Sequence, residues 1–117
     1  MKTLFIINDA PYGTEKMYNA LRLAMALQKE ESGTEVLIFL MADAVAGAMP
    51  SQNTAQGYYN IERMISAVIN KGGTVKLCGT CMDARGLKDL ALIAGTERST
   101  MVELANWTVS ADKVLTF

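Results

Sequence analysis

A chain of 117 residues is long enough for one self-sufficient core and too short for two, so a single domain over residues 1–117 is expected. A net charge of −1 with acids and bases interspersed excludes the basic footprint of a nucleic-acid binder, and the absence of histidine excludes Ser-His and Cys-His catalytic pairs. Half of the residues are hydrophobic and only 20% are charged, an apolar balance that points to surface shared with a partner subunit.

The opening "MKTLFIINDAPYG" has one lysine and a brief apolar run stopped at Asn8 and Asp9, too short for a signal-peptide core. The longest apolar run, Val36 to Ala42, falls far below the ~20 residues of a membrane span. A cytoplasmic protein without membrane contact is expected, and there a structural disulfide is the least favoured use of two cysteines.

"TLFII" (3–7) predicts a first strand, and Thr14 is a plausible N-cap for a helix carrying Met17, Leu21, Ala24, Met25 and Gln28 up to Gly33. "VLIFLM" (36–41) is solidly apolar, as expected for a strand covered on both faces. The stretch 44–60, "AVAGAMPSQNTAQGYYN", predicts a short helix followed by a loop. Asn60 caps a helix with one apolar stripe of Ile61, Met64, Ile65, Val68 and Ile69. After the Gly72-Gly73 turn, "TVKLC" (74–78) is a third strand, and a short one is expected near Leu92 to Ala94. "TMVE" from Thr100 is a capping box, with Glu103 reaching back to the cap and Met101, Leu104, Ala105 and Val109 as the apolar face. "KVLTF" (113–117) is the last strand.

Strands alternating with helices imply βαβ crossovers and a parallel sheet covered on both sides. Ligands of such sheets bind beyond the carboxyl ends of the strands. Three loops leave that edge with distinctive chemistry: "NDAPYGTE" (8–15), with Pro11 and Gly13 shaping the turn, "ADAV" (42–45), and the segment after Cys78. Asp9, Tyr12, Asp43 and Cys78 are therefore expected along one rim.

"KLCGTCMDARG" (76–86) holds both cysteines, Cys78 and Cys81, as C-x-x-C. A helical turn starting near Thr80 would aim free N–H groups at the Cys78 sulfur, and Arg85 is the nearby cation that would favour the thiolate. Four readings stay open at this point. A zinc site would need ligands from another subunit or from carboxylates. A dithiol redox pair is chemically possible, although this motif follows the third strand and not the first. The others are inert, buried cysteines and a thiolate that carries sulfur as a persulfide.

The segments "NDAPYGTEKMYNALRLAMAL", "LIFLMADAV", "GYYNIERM", "VKLCGTCMDARG" and "TMVELANWTVSADKVLTF" together resemble the DsrE/DsrF-like family, in particular its YchN-like branch. The resemblance runs essentially from end to end. Its specific parts are the "APYGTE" loop, the cysteine followed seven and eight residues later by Arg85-Gly86, and the "ADKVLTF" ending. It implies a three-layer α/β/α sandwich with a mainly parallel sheet of about five strands, flavodoxin-like in general architecture. It also implies homo-oligomers, hexamers or trimers, and sulfur relay through a persulfide on a single cysteine, which by spacing is Cys78. Cys81 has no counterpart in the relay members and belongs to the C-x-x-C pattern of the YchN-like branch.

The expectation is thus a sulfurtransferase-like sulfur carrier with Cys78 as acceptor and Cys81 as a resolving or modulating thiol. Asp9, Tyr12, Gly13, Asp43 and Arg85 would line the pocket. No organic cofactor or metal is assigned, and the partners would be a sulfur-donor or sulfur-acceptor protein. The alternatives are a dithiol redox protein and a non-enzymatic oligomeric ligand-binding protein.

Overall fold

The computed structural model describes residues 1–30, 33–55 and 59–117. In chain order it contains β1 (Lys2–Ile7), α1 (Lys16–Lys29), β2 (Glu35–Leu40) and a 3-10 helix (Ala42–Ala48), followed by α2 (Ile61–Asn70) and β3 (Thr74–Cys78). Then come α3 (Gly79–Ala84), β4 (Thr96–Ser99), α4 (Met101–Ser110) and β5 (Lys113–Thr116). The five strands form one sheet in the order β4-β3-β2-β1-β5, and every pairing is parallel. Parallel neighbours need a crossover to join them, which is why a helix stands between each pair. The expected α/β architecture with about five mainly parallel strands is the one observed.

β2 lies at the centre, and all but its first residue are buried, as a strand covered on both faces requires. Successive strand residues point to opposite faces, so one contact assigns a whole face. Phe39 meets Trp107 of α4 edge-on at 6.2 Å, and Lys76, paired in register with Phe39, lies 5.2 Å from the same indole ring. Phe39 and Lys76 therefore face α4. Ile38, Leu40, Val75 and Leu77 face the other way, toward α1 and α2, which pack on each other and on β1, β2 and β3. Cys78, two residues beyond Lys76, falls on the α4 side.

Several local expectations change. The strand expected near Leu92 to Ala94 lies instead at Thr96–Ser99. Ile93 is buried as an anchor of the connection, where its N–H donates to Ala48 O at 2.8 Å. The real strand, "TERS", is polar because it forms the sheet edge. The first helix starts at Lys16, after Glu15, and stops at Lys29, short of Gly33. Thr14 does not cap it; the hydroxyl donates to Asp9 Oδ2 at 3.0 Å and accepts from Lys16 N–H at 3.3 Å.

Asn60 does cap α2, accepting from Arg63 N–H, and Thr100 caps α4, accepting from Glu103 N–H. Glu103 does not return the bond to Thr100, however. Its carboxylate takes the Ser99 hydroxyl and the Lys76 ammonium. On α4 only Leu104 of the expected apolar face is buried, while Met101 and Val109 are 59% and 87% exposed. The short helix expected after position 44 is the 3-10 segment; of the loop beyond it, residues 56–58 lie outside the described residues.

Candidate functional site

β3 ends at Cys78, beside Ser99 of β4 in the parallel register, at the carboxyl edge of the sheet. The chain leaves the strand there and enters α3, and Cys78 itself is the N-cap residue. Its Sγ accepts from the Cys81 backbone N–H at 3.4 Å and lies 3.2 Å from the Thr80 hydroxyl. The side chain is only 6% exposed, yet it opens onto a cavity of about 190 Å³. Gly79, Thr80, Arg98, Ser99, Thr100 and Met101 complete the lining. That volume is below the ~300–1,000 Å³ of most small-molecule pockets and suits a ligand of a few atoms.

Two opposed influences act on the Cys78 thiol. Burial pushes it up, but hydrogen bonds from the Cys81 thiol, the Thr80 hydroxyl and the backbone of both residues together bring it below the ordinary cysteine range. Cys81 moves the other way. Burial raises its thiol first, and its bond to Cys78 raises it further, against smaller lowering effects from the Ala42 backbone and Arg85. Both are free thiols in the structure. Of the two, Cys78 gives up its proton more readily, with Cys81 as its hydrogen-bond partner.

Arg98 completes this site, and the sequence reading missed it. Its two terminal nitrogens grip Asp83 at 2.7 and 2.8 Å, which fixes the guanidinium across the start of α3. Gly79 makes room for it, since a Cβ there would lie 2.8 Å from both Arg98 Cζ and Nε. The charge interacts with Cys78 as well as with Asp83.

Of the residues expected beside Cys78, Arg85 and Asp43 form an ion pair with each other at 2.9 Å. Arg85 also donates to Cys81 O at 3.1 Å, so its charge bears on Cys81. Asp9 contacts Thr14 and Lys16 in the first loop. Tyr12 turns toward the α2 side, donating to Gln52 Oε1 at 2.5 Å and accepting from Ile61 N–H at 3.1 Å. Gly13, with φ +100°, serves the turn that follows Tyr12. None of Asp9, Tyr12, Gly13, Asp43 and Arg85 belongs to the lining of the Cys78 cavity.

Among the described residues no three thiols and carboxylates converge as metal ligands, and no helix is long and apolar enough to cross a membrane.

A parallel α/β protein with a thiolate-favouring cysteine where a central strand ends is, by class, suited to thiol or sulfur chemistry. The chain belongs to the DsrE/DsrF-like family, whose model matches residues 1–117. It is 49% identical to the protein YchN of Escherichia coli (strain K12) over 116 residues, covering 99% of this chain and 98% of that one. It is also 41% identical to MJ0989 of Methanocaldococcus jannaschii over 117 residues, all of both chains. The crystal structure of ychN protein from E. coli superposes with a TM-score of 0.94, covering 100% of this chain and 99% of that one. MTH1491 from Methanobacterium thermoautotrophicum, with a TM-score of 0.79, 11% identity and coverage of 99% and 98%, shares the fold. Membership in the family supports a sulfur-relay-type role at the family level.

Proposed function

We propose that this protein accepts sulfane sulfur on Cys78 and holds it as a persulfide for transfer. The observation that carries the reading is the Cys78 sulfur itself, at the wall of a small cavity and within hydrogen-bond reach of the Thr80 hydroxyl and the Cys81 N–H. In the step, Cys78 S⁻ attacks the outer sulfur of a donor persulfide R–S–SH. The S–S bond of the donor breaks, R–S⁻ leaves with the electron pair, and Cys78 becomes Cys–S–SH. Arg98 and the Thr80 hydroxyl face the anionic sulfur. Because the Cys81 thiol is pushed up, it stays protonated at neutral pH and hydrogen-bonds the sulfur without displacing it. Discharge to a Cys78–Cys81 disulfide, the redox alternative, needs Cys81 to lose that proton first.

Intact-mass analysis after incubation with inorganic polysulfide tests this. Wild type should gain one sulfur per chain, and Cys78→Ser none. A wild type that gains nothing while both thiols remain alkylatable would sink the proposal. The cavity also borders an uncovered apolar face: Met101, Val102 and Val109 of α4 are 59%, 71% and 87% exposed, beside Val114 of β5. We read this face as the surface through which copies of the chain assemble, next to the sulfur site. Light scattering on Val102→Glu/Val109→Glu, with loss of the assembled species, is the matching check.

A further inference from the structure

We infer that the groove between α1 and α2, on the sheet face opposite Cys78, is a second binding site that takes a small acid with an apolar body. The inference stands apart from the sulfur chemistry. The groove has a volume of about 290 Å³, and among the described residues its floor is Met25, Ala26 and Met64. Three cations, Arg22, Lys29 and Lys71, line the same space. No described carboxylate lines it with them, and none of the three is among the ion pairs of the described residues.

The spacing on α1 explains the convergence. Arg22, Met25, Ala26 and Lys29 fall on one helical face, with Arg22 and Lys29 about 10 Å apart along the axis. α2 faces this stripe with Met64, and Lys71 stands at its C-terminal end. One wall is rigid: Tyr18 stacks on Tyr59 with ring centres 4.1 Å apart, and the Arg22 guanidinium sits 5.4 Å over the Tyr18 ring. Arg22 also donates to Asn19 Oδ1 at 3.2 Å, which holds it in place. A lysine near a helix C-terminus is often explained by the helix dipole alone. That account covers Lys29 and Lys71, but it requires neither a shared apolar floor nor Arg22 in mid-helix. An occupant that satisfies all of them carries a carboxylate for the cations and an alkyl or aryl body for the two methionines and the tyrosine.

Decanoate is a suitable probe, read on the full chain by NMR of ¹³C-methyl-labelled methionine, with Met25→Leu and Met64→Leu to assign the two signals. Saturable shifts are expected at Met25 and Met64 while the Met101 methyl stays still. The combined variant Arg22→Gln/Lys29→Gln/Lys71→Gln should bind about ten- to a hundredfold more weakly, each exposed cation contributing a factor of about two to five. Decanol, of the same length without the charge, should bind correspondingly less. Equal binding of decanol, unchanged affinity in the triple variant, or shifts of Met101 with the same midpoint would each overturn the inference. Preference for phosphatidylglycerol vesicles over free decanoate would overturn it too, because the occupant would then be a membrane surface.

Discussion

Gly79→Ala should leave stability almost untouched while blunting the sulfur of Cys78. The added Cβ would sit 2.8 Å from Arg98 Cζ and Nε, where ordinary contact begins near 3.4 Å. The guanidinium must then retreat by several tenths of an ångström, and its bonds of 2.7 and 2.8 Å to Asp83 lose their paired geometry. The pair is 43% and 41% exposed, so water screens it and its loss costs little stability. Replacing glycine by alanine in a helix returns about 0.5–1 kcal/mol, and less in a first turn. Both effects are small and of opposite sign, so stability changes little. The cation then stands farther from Cys78, so its support of the thiolate weakens and alkylation near neutral pH slows. Urea melts measure the first quantity, and iodoacetamide labelling resolved by peptide mass spectrometry measures the second. Arg98→Ala should reproduce the slower labelling. Unchanged Cys78 labelling in both variants would refute the role given to Arg98, and a stability loss above about 2 kcal/mol in Gly79→Ala would refute the packing argument.

Because its thiol is lowered while that of Cys81 is raised, Cys78 labelling should reach half its maximum at a lower pH than Cys81 labelling. Thr80→Val, which removes one hydrogen bond worth about 0.5–1.5 kcal/mol, should cut the Cys78 labelling rate at pH 6 by about two- to tenfold. Asp83 is lowered mainly by its bond to Arg98, and Glu103 mainly by the Ser99 hydroxyl and then Lys76. Both are depressed acids, so the stability they add is present above the ordinary carboxylate range near 4 and is lost as pH falls through their folded values. Asp83→Asn and Glu103→Gln should flatten that acid limb of the urea-melt profile. Ile65→Ala, at a fully buried position of α2, should cost about 2–5 kcal/mol by equilibrium unfolding.

Most of the sheet was legible in the sequence because its inner strands are apolar runs bounded by turn residues, and β2 is the plainest case. The edge strand was misplaced because "TERS" has no apolar alternation, whereas the neighbouring Leu92 and Ile93 do look like strand residues. That slip also concealed Arg98. Only with β4 placed does the register set Ser99 beside Cys78, and with it the guanidinium one residue earlier. Tyr12 illustrates the converse: leaving the sheet at the correct edge says nothing about which face the side chain takes, and Gln52 draws it to the α2 side. Cys78 was legible from strand end and helix start together, but the inequality of the two thiols depends on hydrogen bonds that spacing does not encode.

The strand order has a kinetic consequence. β1 to β4 lie side by side in the order of synthesis, so each can zip onto its predecessor as it emerges from the ribosome. β5 must instead return to β1, matching Lys113 to Thr3, the most distant pairing in the chain. Closing so long a loop comes last and slowly. Until it does, β1 presents an open row of backbone donors and acceptors, and nascent chains are exposed there to edge-to-edge aggregation.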